Sequence, residues 1–303
     1  MNNEKPQIQK ENYIFLDGEF LKAEEAKLSV EDRAVLFGES VFETIRCYSG
    51  KPFRLPRHLE RLKNGCKILR LQIPLHEEKI KEASYSLISK NGLSESDAYL
   101  RITVTGGRST GRTGLERQSK PSIFIIAKPF EGYEVSLYKK GVKLAVSGIR
   151  RNSTSPLSYL KTGNYLDSLL ARQEAKDRRA DDSVMLTTAG NIAEATSSNI
   201  FMVKDGVVLT PDLGCGLLPG ITRDTVLEIC SEIGIYVRAI TEGIETLLTS
   251  DEVFLTNSLM EVMPVRSVGS KEYKPCPGKI TLRIMQAYRE LVERELNPSS
   301  SLY

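Results

Sequence analysis

The chain has 303 residues, 40% of them apolar and 27% charged, with a formal net charge of +3. That balance fits a soluble globular protein of one large or two smaller domains, and so small and dispersed a charge argues against nucleic acid. No run of about 18 apolar residues is present, so no membrane span is expected. Residues 1–11 are polar and lack the apolar core of a signal peptide, and the five cysteines form no CxxC pair. With only His58 and His76 as histidines, a reduced, cytoplasmic protein without a structural metal is expected.

In chain order, Tyr13–Leu16, the Asp17-Gly18 turn and Phe20-Leu21 read as a hairpin, because Asp-Gly accepts the positive φ angles of such turns. A strand follows at Val41–Tyr48. Leu55, Leu59, Leu62, Cys66 and Leu69 recur at helical spacing, so 56–70 reads as an amphipathic helix, and 76–90 as another stopped by Asn91-Gly92. Ala98–Thr105 and Ser122–Lys128 read as strands around a glycine-rich loop, Gly106–Gly114. Residues 12–128 thus suggest a small α+β domain, 129–140 a linker without strong period, and 141–296 a larger α/β domain, with tails at 1–11 and 297–303. In that second half, strands are expected at Val142–Ser147, Ser183–Thr188, Asn199–Val203, Val207–Thr210 and Val253–Thr256. Helices are expected at 163–178, burying Leu166, Leu169 and Leu170, at 221–233 and at 278–295.

Three features carry chemistry. Lys161 stands in Ser158-Tyr159-Leu160-Lys161-Thr162-Gly163-Asn164-Tyr165, just ahead of a helix, with Leu157, Tyr159 and Leu160 available as an apolar wall. A desolvated lysine amine forms Schiff bases, although most lysines are solvated surface charges. Glu194, in Ala193-Glu194-Ala195-Thr196-Ser197-Ser198-Asn199, either caps a turn or meets a cation such as a protonated ring nitrogen. Gly220-Ile221-Thr222 opens a helix and offers free N–H groups to an anion, or is an ordinary capped junction. Amine, acid and phosphate turn together are the parts needed to use pyridoxal phosphate. The loop Gly106–Arg112 lacks the Gly-Lys-Ser/Thr of a nucleotide loop. Tyr99, Arg101 and Thr103 share one strand face, and Glu43 on a second strand forms either a structural salt bridge with Arg101 or part of a pocket for a carboxylate. Arg61 sits beside the apolar stripe of its helix, facing a cleft or solvent.

In order along the chain, Phe37-Gly38-Glu39-Ser40-Val41-Phe42-Glu43-Thr44-Ile45-Arg46, the Lys161 and Glu194 segments, Leu218–Thr222 and Asp251–Val265 resemble the class IV aminotransferases. These are the fold-type IV pyridoxal-phosphate enzymes, similar to D-amino acid aminotransferases. The resemblance implies small and large mixed α/β domains with the cofactor at their interface, in a homodimer. It implies Lys161 as the Schiff-base lysine, Glu194 on the ring nitrogen, Tyr165 on the ring's phenolic oxygen and Leu218 against its face. Arg61, Gly220, Ile221, Thr222 and Ser258 would hold the phosphate. Phe37, Glu43, Tyr99, Arg101, Arg112 and Leu259 would surround the substrate, Phe37 standing where branched-chain enzymes usually have a tyrosine.

Within the family, two residues between Lys161 and Asn164, and the run Asn257–Val265, resemble aminodeoxychorismate lyases, which release p-aminobenzoate and pyruvate. Phe42–Tyr48 and Tyr99-Leu100-Arg101 resemble branched-chain aminotransferases, which use a 2-oxo acid. The lyase is the favoured expectation. Branched-chain or D-amino acid transfer is the alternative, and a fold retained only for binding is the reading from another class.

Overall fold

The computed structural model describes residues 12–108 and 120–297. The chain divides into two compact units, Met1–Glu131 and Gly132–Tyr303. Among the described residues no helix is long and apolar enough to cross a membrane.

The first unit contains β1 (Tyr13–Leu16), β2 (Glu19–Lys22), α1 (Arg33–Phe37), β3 (Ser40–Tyr48), β4 (Lys51–Pro52), α2 (Leu55–Ile68), α3 (Glu77–Lys90), β5 (Ala98–Thr105) and β6 (Ile123–Pro129). Its described strands form one antiparallel sheet, ordered β2-β1-β6-β5-β3-β4. The β1–β2 turn has Asp17 and Gly18 at φ 50° and 108°, the backbone that the Asp-Gly pair announces. Side chains alternate along each strand, so Val41, Ile45, Leu100, Ile102, Ile123 and Ile125 share one face. They pack with Leu55, Leu59, Leu62 and Cys66 of α2 and Ile80 and Leu87 of α3 in a single core. Pro56 in the first turn of α2 is preset for helix and forfeits no hydrogen bond there.

The second unit contains α4 (Val135–Lys140), β7 (Val142–Arg151), α5 (Leu166–Asp177), β8 (Asp182–Thr187), β9 (Ile192–Ala195), β10 (Asn199–Lys204) and β11 (Val207–Pro211). It continues with α6 (Ile221–Glu232), β12 (Val237–Ile240), α7 (Ile244–Leu248), β13 (Glu252–Asn257), β14 (Glu261–Val268), β15 (Lys271–Glu272) and α8 (Lys279–Leu296). Its described strands run β12-β11-β10-β13-β14-β7-β8-β9, with β15 beside β14. The pairs β11–β12, β14–β7 and β7–β8 are parallel. Strands β9 and β10 lie well apart in that order, yet Ala195 N–H donates to Ser198 O (2.8 Å), so the sheet curls back on itself at the turn between them. The aromatic rings of Phe201 and Phe254 stack across β10 and β13 at 4.9 Å.

Several expectations are corrected. Residues 135–140 are helical, so regular structure reaches into the stretch read as a linker. Strand β7 runs past Ser147 to Arg151, with an irregular register between Val146 and Arg150. Helix α5 starts at Leu166 and its leucines are not buried: Leu166, Leu169 and Leu170 are 73%, 57% and 54% exposed. Its buried positions are Ala171 and Ala175, the latter in a small cluster with Ala145 and Ala180.

Candidate active site

Lys161 follows a short 3₁₀ turn, Pro156–Tyr159, and precedes α5. The segment leading to it is tied to itself. Ser158 Oγ donates to Asn152 O (2.6 Å), Tyr159 OH donates to Ser153 O (2.8 Å), and Ser155 Oγ accepts from Leu157 N–H (3.3 Å). Beyond the lysine, Thr162 is buried and its Oγ1 accepts from Asn164 N–H (3.3 Å). Lys161 is therefore carried on a loop that its flanking hydrogen bonds hold in one shape. Leu157, expected as part of its apolar wall, is largely exposed. Tyr165, half-buried, is the cap residue just before α5.

Glu194 lies inside β9 rather than in a turn, with Ala193 and Ala195 buried on either side. Its Oε1 is 2.8 Å from Arg151 Nη2, and its Oε2 accepts from Leu218 N–H at 3.1 Å. Burial pushes the Glu194 carboxyl up, and Arg151, the Leu218 N–H and the Lys161 charge offset part of that rise. Lys161 lies near enough for its charge to act on Glu194. Arg151 is held in turn, Nη2 donating to Ser158 O (3.0 Å) and Nε to Gly216 O (3.4 Å). Sequence reasoning missed Arg151. Its signal, a basic pair at 150–151 next to a strand, is one that surface loops also carry.

The Leu218–Thr222 segment is fastened to β10, with Asn199 Nδ2 donating to Leu218 O (2.9 Å). Gly220 is the cap residue of α6, and no side chain caps that helix. A Cβ at Gly220 would lie 2.0 Å from Asn199 Oδ1 and displace that amide, so glycine serves close approach here and not its φ of −79°. Ile221 and Thr222 are buried in the first turn. Nearby in sequence, the buried hydroxyls of Ser198 and Thr256 have no hydrogen-bond partner among the described residues. Ser258 and Leu259 lie in the β13–β14 turn, which Asn257 Oδ1 shapes by accepting from Leu259 N–H (3.0 Å) and Met260 N–H (2.8 Å). An amine, a buried carboxylate that a cation would stabilise, and an uncapped helix start fit pyridoxal phosphate.

The other expected residues lie in the first unit. Arg61 donates from Nε and Nη2 to Glu43 Oε1 and Oε2 (2.8 and 2.7 Å), and His58 Nδ1 is 2.6 Å from Glu43 Oε2. The expected Glu43–Arg101 pair does not form. Arg101 registers with Thr44, and the pleat sends Glu43 to the opposite face of the sheet. Arg101 instead lies 3.7 Å above the Phe42 ring, on the face it shares with Tyr99. Phe37 ends α1, half-exposed, with the Arg33 guanidinium 5.0 Å from its ring. Arg112 lies outside the described residues.

Known proteins share this architecture. A family model described as amino-transferase class IV matches residues 40–268. The branched-chain-amino-acid aminotransferase of Escherichia coli K12 is 35% identical over 287 residues, 92% of each chain. A crystal structure of the E. coli enzyme superposes with a TM-score of 0.88, at 34% identity over 93% of this chain and 95% of that one. The branched-chain enzyme of T.th., solved with pyridoxamine 5′-phosphate, has a TM-score of 0.86 at 32% identity, covering 93% and 94%. Aminodeoxychorismate lyase of Bacillus subtilis is 29% identical over 284 residues, 94% of this chain and 96% of its own. The chain belongs to the class IV aminotransferases, enzymes of fold type IV.

Proposed function

We propose that this enzyme transfers an amino group between an apolar amino acid and a 2-oxo acid, with Lys161 as its mobile base. The observation that carries the reading is the Lys161–Glu194–Arg151 grouping in the second unit. Higher identity to branched-chain aminotransferases than to the lyase supports the choice of reaction. Pyridoxal phosphate, the cofactor of this class, supplies an aldehyde that captures amines and a ring that draws electrons from the attached carbon.

Lys161 would hold that aldehyde at rest and, freed by the substrate amine, would serve as the base that takes the proton from the amino-bearing carbon and the acid that delivers it to the cofactor's former aldehyde carbon. Glu194 keeps the ring nitrogen protonated, Tyr165 orients the phenolic oxygen and Leu218 packs on the ring. Ile221 N–H, Thr222 and Ser258 bind phosphate oxygens, and Gly220 lets them approach. Phe37, Tyr99, Arg101 and Leu259 select the substrate, Arg101 as the carboxylate partner. Glu43 is removed from that substrate set by its burial beneath α2. We also infer a homodimer, supported by the exposed leucines of α5.

A second reading is kept for aminodeoxychorismate lyase, favoured by the Lys161–Asn164 spacing and the Asn257–Val265 run. Lys161 would then remove a ring proton and protonate the departing enolpyruvyl group.

Borohydride reduction of the yellow protein should leave the phosphopyridoxyl label on the peptide containing Lys161, and Lys161→Ala should abolish turnover. Label elsewhere, or turnover in a verified Lys161→Ala preparation, refutes the mechanism. L-Leucine, D-alanine and (R)-phenylethylamine are then supplied with 2-oxoglutarate or pyruvate, and aminodeoxychorismate in a separate assay. Amino transfer without p-aminobenzoate supports the first reading; p-aminobenzoate release replaces it with the second.

A further inference from the structure

Strand β7 pairs in parallel with β8, but its register breaks: Val146 meets Val184 and Arg150 meets Leu186, four steps along β7 against two along β8. The surplus, residues 147–149, is gripped by one side chain of α5. Glu174 Oε2 accepts from Ser147 Oγ (2.7 Å) and from Gly148 N–H (2.8 Å), and Ser147 Oγ accepts in turn from Ile149 N–H (2.9 Å). The Ser147 hydroxyl first, and then the Gly148 N–H, hold the Glu174 carboxyl below its ordinary range. A Cβ at Gly148 would lie 3.2 Å from Glu174 Oε1, so the bulge and the helix are in close contact.

A bulge re-aims the side chains beside it. Arg151 registers with Thr187 and Glu194 with Met185, so both side chains lie on one face of the sheet, and the guanidinium reaches across β8 to Glu194 Oε1 at 2.8 Å. The same Nη2 donates to Ser158 O, in the segment leading to Lys161 (3.0 Å). In an unbroken register position 151 would stand two residues further along β8, roughly 7 Å away, and both contacts would be lost.

We propose that Glu174 is a positioning residue for the reaction: by clamping the surplus of β7 to α5 it keeps Arg151 on Glu194 and on the Lys161 loop together. The inference rests on the reading of Lys161 and Glu194 given above, and Glu174 itself acts only through Arg151. Helix α5 starts just beyond Lys161, with Tyr165 as its cap, and carries Glu174 further along. One helix therefore anchors the loop that bears the amine and, through Glu174 and Arg151, the carboxylate read as facing the cofactor ring.

The test is a mutant cycle read by cofactor affinity, with pyridoxal 5′-phosphate titrated into cofactor-depleted protein and followed by absorbance. Glu174→Ala should weaken binding about three- to thirty-fold, within the range of coupled neighbours, and Arg151→Met at least as much. In the double variant the loss should equal that of Arg151→Met alone. Glu174→Gln keeps an oxygen that can accept both bonds and should bind nearly as wild type does. Should Arg151→Met not fold, Arg151→Lys, which keeps the charge without the guanidinium fork, completes the cycle. Losses that multiply in the double variant, or wild-type affinity in Glu174→Ala beside a weakened Arg151→Met, overturn the positioning role and leave the reading of Glu194 intact. Wild-type affinity in both Arg151→Met and Glu194→Gln removes that reading, and the inference with it.

Discussion

Without Arg151, the buried Glu194 carboxylate would keep only the Leu218 N–H and the Lys161 charge as offsets to its burial. Stripping one partner from a buried pair costs about 3–5 kcal/mol, whereas replacing both by apolar groups is often neutral. Arg151→Met should therefore destabilise the protein by several kcal/mol in urea unfolding, and Arg151→Met/Glu194→Met should recover much of that loss. Turnover should fall in the single variant and be abolished in the double one, because the acid proposed to meet the ring nitrogen is gone. Recovery of both stability and turnover would refute the role of Glu194. Glu43 supplies a pH signature of its own. Its folded value, about 2, lies below the ordinary 4.5, so its stabilisation is complete above pH 4.5 and fades as pH falls toward 2. The loss amounts to roughly 3 kcal/mol. Urea unfolding followed by circular dichroism should show a smaller drop in stability between about pH 6 and about pH 3 in Glu43→Gln than in wild type, if this linkage holds.

Helix α5 shows how an element can obey its period and still be misread. Leu166, Leu169 and Leu170 fall at i, i+3 and i+4, the spacing of a buried stripe, yet Ala171 and Ala175 face the sheet. Spacing reveals that one side of a helix is apolar; distance to the neighbouring layer decides which side can be covered. Ala175→Leu should overpack the cluster with Ala145 and Ala180, costing about 1–3 kcal/mol. Leu169→Gln should be nearly neutral for folding of a single chain, and comparable losses from the two substitutions would contradict the packing described. The same distinction explains what else was legible. The hairpin turns at Asp17-Gly18 and Asp205-Gly206 are dictated locally by positive φ and were readable from two residues each. The apolar faces of α2, β5 and β6 were readable because one side of each meets a core and the other does not. Strand β9 was hidden: it is four residues long and buried on both faces, so it shows no alternation, and its one acid looks like a turn residue. Lys161 and Glu194 were recognisable by their order among other motifs. Arg151 and His58 were not, because a cation pairing with a distant carboxylate leaves no trace in its own neighbours.

At the scale of the molecule, the leucines of α5 present an apolar surface that folding of the second unit leaves uncovered. Scattered single apolar residues on a surface require no explanation, but three at i, i+3 and i+4 of one helix share a face and form a patch. A second copy of the chain is the occupant inferred above, and a stable self-association buries at least about 1,000 Å². A symmetric dimer brings the same patch from each copy, so every substitution there acts twice. Light scattering should give twice the 33.8 kDa chain mass for the wild-type protein. Leu169→Glu/Leu170→Glu places four carboxylates in such an interface and should shift the mass to that of one chain, while circular dichroism stays that of a folded protein because neither side chain contributes to the core. A wild-type protein of single-chain mass, or a double variant that keeps the doubled mass, would assign the leucines to another role.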